Sequence, residues 1–388
     1  MATKISSSAP SARARKSAPP PAPAAAAPVP AAPPEFAPLK ALADAVAVSG
    51  DEGAVRRLVL EAIRPLVDEV KVDALGNVLA LKKGAGRERV LLAAHMDEVG
   101  FMVSGHEPDG SLRFEIVGGV DERMLIGKPV LIGAGRVPGV IAAAAVHLLS
   151  AERRATVIKA NALRIDLGVE TAEAARRLVQ LGERGTFAAE LDLLGSGATA
   201  SLRGKALDDR LGCATLIELL RGGPYACELH AAFTVQEEVG LRGARVAAFA
   251  LEPAAAFALD CTPAYDLPPA LEDRENVEYN TRLGRGPAIY VADRATLSDQ
   301  RLVRYLARTA EGAGLPYQIR QTGGGGTDAG AMHRTRAGVP SVSLSVPGRY
   351  LHGPLAIARW SDWRHTVALM QAALAGWSPK VLKDTARR

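Results

Sequence analysis

Six short strings in this sequence each place a carboxylate or an imidazole beside a predicted strand end or turn. They are AHMDEVG (residues 94–100), KALDDRLG (205–212), QEEVGLRGA (236–244), ALDCTPA (258–264), GGTDAGAMH (325–333) and YLHGP (350–354). Carboxylates combined with imidazoles suit zinc, cobalt or manganese, and a pair of such ions needs about five or six protein ligands. The strings therefore predict a fold that gathers strand ends around a site for two divalent metal ions.

The length and composition indicate two structured units with a mostly aliphatic core. A chain of 388 residues exceeds one average domain. Hydrophobic residues make up 48% of it and aromatic residues 4%, so helices rich in alanine and strands rich in valine and leucine are expected to carry the packing. Residues 1–38 differ, because they hold 10 of the 25 prolines and no acid before Glu35. Proline at that density blocks helix and sheet alike, so we expect a disordered arm.

The same properties exclude several classes of protein. The net charge of +5 is scattered along the chain, which argues against a nucleic-acid partner. Three cysteines without a CxxC pair argue against a disulfide framework or a thiolate zinc site. No run reaches 18 uninterrupted apolar residues, so we expect no membrane span. The arm lacks the amphipathic helix of a transit peptide and the apolar segment of a secretory signal, so we expect a cytoplasmic protein.

Predicted strands and helices alternate before residue 107 and after residue 201, whereas the residues between them have a different sequence pattern. The apolar run at residues 90–94 predicts a strand buried on both faces, and the alternation resumes at residue 209 and continues to residue 375. Between them, short pieces rich in glycine and valine indicate a small β-barrel-like insertion. We therefore predict an α/β fold, with a three-layer α/β/α domain of mixed sheet that the insertion interrupts. The predicted units are residues 39–106 together with 202–377, residues 107–201 for the insertion, and residues 378–388 for a basic tail.

Two of the strings contain a pair of candidate residues: His95 with Asp97, and Asp208 with Asp209. His95 lies at the carboxyl end of the 90–94 strand, where open α/β sheets bind ligands, and Asp97 can fix its tautomer. A surface histidine with a satisfied hydrogen bond is the alternative for this pair. Asp208 and Asp209 are adjacent acids, which either stabilise a helix N-terminus or bind metal; Asp208 on the metal and Asp209 as the cap satisfies both interpretations.

Three further strings place candidate residues at the ends of predicted strands. Glu237 and Glu238 follow an apolar strand, and neighbouring strand residues point to opposite sides, so one can bind metal while the other holds a proton. Solvated acids at a strand end are the alternative. Asp260 ends the next apolar strand, where a lone buried acid needs a partner. His352 lies in a glycine- and proline-containing loop after the strand at residues 341–346.

Other residues in or near the strings have simpler explanations. His333 is expected to serve helix packing, and Cys261 to be a buried bystander beside Asp260. The glycine run at residues 323–326 resembles a phosphate-binding loop but lacks GKS or GKT, so room for the backbone near the site, or a contact with a bound peptide, is the better explanation.

All six strings, in this order and over roughly residues 39–375, resemble the dinuclear metallo-aminopeptidase family. That family includes glutamyl aminopeptidase, the tetrahedral and deblocking aminopeptidases, and proteins once labelled endoglucanase M. KALDDRLG and QEEVGLRGA are the most specific strings, whereas HxD and LHGP add little individually. The resemblance implies a zinc-peptidase-like catalytic domain, with the insertion as the domain that assembles dimers into a hollow dodecamer. The arm and the basic tail lie outside the family pattern.

The resemblance also implies a role for each candidate residue, and no metal or base position departs from the pattern. The implied ligands are His95 and Asp260 for one metal ion, Glu238 and His352 for the other, and Asp208 bridging the two. Glu237 would be the general base and Asp97 the residue that orients a ligand. Zinc or cobalt is the expected metal, with two ions per subunit.

The implied reaction is hydrolysis of N-terminal residues from peptides by a water activated between two metal ions. Three alternatives are weighed against it. Glycoside hydrolysis uses paired carboxylates without a dinuclear metal and leaves His95 and His352 unexplained. An amidohydrolase or carboxypeptidase with a related centre fits KALDDRLG poorly. A non-catalytic assembly protein is expected to have lost a ligand or the base, and none is missing.

Overall fold

The computed structural model describes residues 32–266, 281–320 and 322–383. Seventeen strands and nine helices lie within these residues. The strands are β1 (Glu69–Val72), β2 (Val78–Lys82), β3 (Arg89–His95), β4 (Gly100–His106), β5 (Leu112–Val117), β6 (Pro129–Ile132), β7 (Val137–Ala142), β8 (Arg164–Asp166), β9 (Arg184–Phe187), β10 (Asp192–Leu194), β11 (Ser201–Gly204), β12 (Glu228–Thr234), β13 (Ala255–Pro263), β14 (Ala288–Tyr290), β15 (Gln318–Arg320), β16 (Ser341–Arg349) and β17 (Ala356–Arg359). The helices are α1 (Phe36–Asp44), α2 (Gly53–Ile63), α3 (Ala151–Arg154), α4 (Ala172–Leu178), α5 (Leu207–Arg221), α6 (Arg242–Leu251), α7 (Gln300–Ala313), α8 (Ala329–Met332) and α9 (Trp360–Ala375).

A mixed sheet forms the centre of the molecule. Its main path runs β1-β2-β12-β3-β13-β16-β17-β11-β10, and β14 joins β16 to β15 beside that path. The four central strands β12, β3, β13 and β16 pair in parallel, whereas the strands outside them pair antiparallel along the main path. Parallel strands are normally covered on both faces, which matches the almost complete burial of β3 and β13.

Helices cover both faces of the sheet, as the predicted three-layer α/β/α fold requires. Successive residues of a strand point to opposite faces, so Leu92 packs in the core with α1, α2, α5 and α9, while its neighbour Leu91 packs in a second core with α6 and α8. Helix α5 is buried along most of its length between β3, β13 and α9. The predicted fold class is confirmed.

A closed six-stranded barrel interrupts the sheet in sequence. Its strands follow the order β4-β5-β8-β7-β6-β9 around the barrel. The barrel has its own hydrophobic core, in which Phe101 makes edge-to-face contacts with Phe114 and Phe187. A barrel has no unpaired strand edge, so this small unit can close around a core of its own.

The boundaries differ from the sequence prediction in two places. Strand β4, expected in the catalytic domain, pairs with β5 and β9 and belongs to the barrel, because Phe101 and Val103 pack into the barrel core. Strand β10, expected in the insertion, pairs with β11 at the edge of the main sheet. The predicted disordered arm lies mostly outside the described residues, and α1 begins within its last residues, at Phe36. Within the described ranges, no helix combines the length and apolarity needed to cross a membrane.

Candidate metal centre

The parallel strands bring the predicted ligands to one edge of the sheet. His95 is the last residue of β3, Asp260 lies in β13, and Glu238 follows β12. Asp208 stands at the start of α5, and His352 lies in the turn after β16. The carboxyl ends of parallel strands are where open α/β sheets bind ligands, so these five side chains meet although they are far apart in the sequence.

One group of possible ligands forms around His95. Its Nε2 lies 3.2 Å from Oδ1 of Asp208 and 4.0 Å from Oδ1 of Asp260. The imidazole is almost fully buried, and the three ligand atoms lie within 4.8 Å of one another. An ion placed among these atoms can reach all three residues.

A second group forms around His352 and shares Asp208 with the first. Nε2 of His352 lies 3.3 Å from Oε1 of Glu238 and 3.5 Å from Oδ2 of Asp208. The two oxygens of Asp208 therefore face different imidazoles. Nδ1 of His352 lies 3.1 Å from the carbonyl oxygen of Gly119, which fixes the ring from the loop that follows barrel strand β5.

Glu237 and Glu238 are held by the carboxylate of Asp97. The backbone N–H groups of the two glutamates donate to its Oδ1 and Oδ2, at 3.0 and 3.2 Å. Ser49 Oγ also donates to Oδ2, at 2.6 Å. Nδ1 of His95 lies 3.0 Å from the backbone carbonyl oxygen of Asp97 and 3.5 Å from its carboxylate. Asp97 thus contacts both the imidazole and the turn that carries the glutamate pair.

Asp208 and Asp209 have different surroundings. The backbone at both residues is not helical, and the regular turns of α5 begin after them. The carboxylate of Asp209 accepts from the N–H groups of Gly212 and His95, at 2.9 and 3.1 Å. Asp209 therefore caps the regular part of the helix, and Asp208 is left facing the two imidazoles.

Burial raises the pKa of three carboxyl groups in the site, those of Asp260, Glu237 and Glu238. It raises the pKa of Asp260 and of Glu237 well above the usual range, with neighbouring carboxylates adding to the effect. It raises the pKa of Glu238 to about 7, against the opposing charge of His352. Removal from water disfavours a carboxylate, so each of these groups gains stability from a proton or a cation close to it.

The pKa values of Asp208, His95 and His352 shift in the direction opposite to the one that burial alone would cause. Burial acts to raise the pKa of Asp208, but hydrogen bonds with His352 and His95 outweigh it and hold the pKa well below the usual range. Burial acts to lower the pKa of His352, but Asp208 and Glu238 outweigh it and raise the pKa to about 9. Positive charge is thus strongly favoured between these residues.

The donor set fits divalent metal ions. Buried carboxylates with disfavoured charge surround two imidazoles, and such a mixture of oxygen and nitrogen ligands suits zinc or cobalt. Substituting cations for protons at these positions would also relieve the repulsion among the acids. The site opens into a cleft of about 760 Å³, whose other walls include Tyr265, Arg294, Arg320 and Gly324.

The residues set aside in the sequence have structural roles or line the cleft. Nδ1 of His333 lies 2.9 Å from the carbonyl oxygen of Ala329, within its own helical turn. The three cysteines are free and buried, and Sγ of Cys261 lies 3.2 Å from the carbonyl oxygen of Leu207. Gly324 lines the cleft as backbone, as expected for the glycine run.

Sequence reasoning missed several buried partners of the site. Ser49 binds Asp97, and Asp328 accepts from Thr234 Oγ1 at 2.5 Å while its other carboxylate oxygen has no partner among the described residues. Lys205 lies within one of the quoted strings, yet its contact with Glu98 was not anticipated. No local signal could have found these contacts, because the paired residues are 48, 94 and 107 positions apart in the sequence.

Buried acids and imidazoles meet at the strand ends of a three-layer α/β/α fold, an arrangement that suits a metal-dependent enzyme, and comparison with known proteins identifies the family. Residues 76–369 match the M42 glutamyl aminopeptidase family. The chain is 37% identical over 337 residues to a putative aminopeptidase of Acetivibrio thermocellus, an alignment that covers 87% of this chain and 97% of the relative. The chain belongs to the M42 glutamyl aminopeptidase family.

Solved structures agree with this family. A TET aminopeptidase from a marine-sediment thaumarchaeote superposes with a TM-score of 0.84 at 33% identity, covering 89% of this chain and 98% of that one. The TET1 peptidase of Pyrococcus horikoshii, described as assembling into a tetrahedron or a large octahedral shell, gives a TM-score of 0.77 at 34% identity, with coverage of 88% and 100%. The family shows that this chain is a metal-dependent aminopeptidase.

Proposed function

We propose that this aminopeptidase works with two divalent metal ions, which His95, Asp260, Glu238 and His352 hold with Asp208 shared between them. The observation that carries the proposal is that one group of possible ligands contains His95 and Asp260, another contains Glu238 and His352, and Asp208 belongs to both. Zinc or cobalt suits these donors. When bound, such a pair of ions polarises the scissile carbonyl and lowers the pKa of water between them.

Glu237 is the proposed general base. Its carboxylate lies within the same 4.8 Å group as His95 and Glu238, and burial raises its pKa well above the usual range. With metal ions bound beside the neighbouring acids, Glu237 would be ionised, and its carboxylate would take a proton from the attacking water and pass it to the leaving amine. Asp97 supports this role by holding the N–H groups of both glutamates and by contacting His95.

The proposed substrates are peptides with a free N-terminus, and the cleft of about 760 Å³ that leads to the ligands has room for the end of a peptide. A free amine offers a lone pair that could bind one of the metal ions, whereas the nitrogen of an acetylated N-terminus does not. Glycoside hydrolysis leaves His95 and His352 without a role, so the two-metal peptidase explains more of the site.

The barrel is proposed to carry an assembly surface. Ile126 and Val157 of the insertion are 46% and 48% exposed and line one groove, and exposed apolar side chains that lie together are typical of interfaces. Together with the tetrahedral or octahedral assembly described for the Pyrococcus horikoshii peptidase and the dodecamer described for PhTET1-12s, this supports a homo-oligomer of dimers, with the dodecamer as the proposed form. We propose the corresponding division of the chain into a split catalytic domain and an inserted assembly domain. The cytoplasmic location stays a prediction.

One experiment tests the proposed reaction. A panel of aminoacyl-anilides is compared with N-acetylated peptides and carboxymethyl-cellulose, with and without a chelator. We expect hydrolysis of the anilides alone, and its loss on chelation. Hydrolysis of the cellulose derivative, or of the acetylated peptides in preference to the anilides, would contradict the proposal.

A further inference from the structure

A buried charged cluster, formed by Glu98, Lys205 and Arg210, lies beneath the metal centre. The three residues are 3%, 2% and 0% exposed. Nζ of Lys205 donates to both oxygens of Glu98, at 2.9 and 3.0 Å, and Arg210 donates to Oε1 at 3.1 Å. Within the described ranges, Glu98 is the carboxylate that both cations contact, so it compensates two buried positive charges.

The cations of the cluster hold the segments that carry the metal ligands. Arg210 donates to the carbonyl oxygens of Met96 and Asp97, the two residues that follow His95. Lys205 and Arg210 also bracket Asp208 in the chain, three residues before it and two after it. Two ligand-bearing segments are thus fixed to one carboxylate.

Glu98 also contacts the barrel. Thr186 Oγ1, on barrel strand β9, donates to Oε2 of Glu98 at 2.7 Å. The backbone N–H of Ala47, after α1, donates to Oε1 at 3.1 Å. The carboxylate therefore joins the barrel, the first helix and α5 at one point.

Two residues of the cluster and three of the proposed ligands line the same small cavity. Its volume is about 20 Å³, and its lining includes Glu98, Lys205, Asp208, Glu238 and His352. That volume holds about one water molecule. Burial acts to raise the pKa of Glu98, but the charges of Lys205 and Arg210 outweigh it and hold the pKa below the usual range, so the carboxylate stays ionised.

We propose that Glu98 is a positioning residue for the metal centre, and that through Thr186 it couples the geometry of the ligands to the barrel. The inference rests on the proposed two-metal function. A buried ion network is weak evidence for stability alone, because apolar residues often replace one without loss. Here the contacts end on the segments that carry His95 and Asp208, where a small displacement changes metal binding.

The test compares Glu98→Gln and Thr186→Val with Thr215→Val. Thr215 is a matched control, since it is a fully buried threonine on α5 whose hydroxyl donates to Leu211 O and accepts from Trp363, away from the cluster. The affinity for zinc is measured by competition with a fluorescent chelator, and the Tm is measured on the metal-free proteins.

We expect Glu98→Gln to lower zinc affinity by up to about 10-fold, the lower end of the effect of removing a group that hydrogen-bonds a ligand directly, because Glu98 acts through Lys205 and Arg210. Thr186→Val should lower it less, in the same direction, while Thr215→Val lowers only the Tm. Wild-type zinc affinity in both Glu98→Gln and Thr186→Val would overturn the proposal. If Glu98→Gln does not fold, the comparison of Thr186→Val with Thr215→Val decides the outcome.

The result is independent of the peptidase assay. Zinc binding that depends on Glu98, in a protein that hydrolyses no anilide, would contradict the proposed reaction and leave the positioning role standing. Anilide hydrolysis in wild type, with zinc affinity unchanged in the variants, would contradict the positioning role alone.

Discussion

At the scale of single residues, Asp97 links the imidazole and the glutamate pair of the site. Its carboxylate receives the N–H groups of Glu237 and Glu238, and its carbonyl oxygen faces His95. The two glutamates lie in the turn after β12 and have different neighbours, since Glu237 shares a ligand group with His95 while Glu238 also lies beside His352. The pair of glutamates therefore offers a direct test of which is the base and which the ligand.

Replacing each glutamate by glutamine should give two different phenotypes. Glu237→Gln keeps its size but cannot accept a proton, so we expect both metals to bind while kcat falls about 10²–10⁴-fold. Glu238→Gln should lower metal affinity first, with activity partly restored by excess metal. Steady-state kinetics and metal analysis of both variants check this, and exchanged phenotypes would reverse the assignment.

His352→Ala should weaken one metal position more than the other. His352 contacts Glu238 and Asp208 but does not belong to the group around His95. We expect about one ion per subunit to be lost first on dialysis, as metal analysis would show. The control His333→Ala changes a histidine whose Nδ1 contacts Ala329, so both ions should stay. Two ions at wild-type occupancy in His352→Ala would contradict the ligand assignment.

The sequence predicted which residues gather at the site better than it predicted what supports them. Strand ends and paired acids are local features, so His95, Asp208 and Glu238 could be found from their strings. The contact of Glu98 with Lys205 joins residues that are 107 positions apart. Such a pairing depends on how the whole sheet assembles, and nothing in the local sequence indicates it.

At the scale of elements, the sequence predicted the strand with the strongest apolar pattern, β3, but it placed the next strand, β4, in the wrong sheet. The parallel strand β3 was recognisable from its continuous apolar run. Strand β4 follows it after only four residues, yet turns away to pair with β5 and β9. Both strands contain mostly apolar residues, so their composition does not distinguish them. The strands that pair with β4 are determined by the packing of Phe101 against Phe114 and Phe187 in the barrel. Sequence pattern alone therefore misplaced the boundary.

Helix α7 depends on its N-terminal cap, Asp299. The carboxylate accepts from the N–H of Arg301 at 2.9 Å and from its guanidinium at 2.9 and 2.6 Å. Burial acts to raise the pKa of Asp299, but these hydrogen bonds with Arg301 outweigh it and lower the pKa. A carboxyl whose folded pKa is depressed contributes stability above its unfolded pKa, and that contribution is lost as pH falls through the folded value.

Asp299→Ala should therefore lower the free energy of unfolding at pH 7 by about 0.5–2 kcal/mol, the usual size of a cap effect. The difference between variant and wild type should stay constant down to about pH 5 and shrink only below about pH 4, the ordinary range of aspartate. Urea unfolding at several pH values measures it. A difference that grew as the pH was lowered would contradict the assigned sign.

At the scale of the whole molecule, the metal centre and the cores are separable. The ligands lie at strand ends, whereas the hydrophobic clusters on both faces of the sheet and in the barrel pack without them. Chelation should therefore abolish peptidase activity while largely preserving the far-UV circular dichroism. The Tm should fall, because a ligand that binds only the folded state stabilises it. Full activity in the metal-free protein would contradict the mechanism.

The barrel surface predicts where assembly can be broken. Ile126 and Val157 line a groove of about 520 Å³ on the barrel, and both side chains are nearly half exposed. A glutamate at either position would place a charge in an apolar contact, which is costly without a partner. Ile126→Glu and Val157→Glu should therefore give smaller species by light scattering, with hydrolysis of small anilides retained.

The matched control is Val72→Glu, because Val72 is 46% exposed on β1 at the edge of the main sheet, outside the barrel. This variant should keep the wild-type mass. An assembly unaffected by both barrel variants, or disrupted equally by Val72→Glu, would show that the contacts between copies do not use this groove. A wild-type chain that is already monomeric would remove the basis of the prediction.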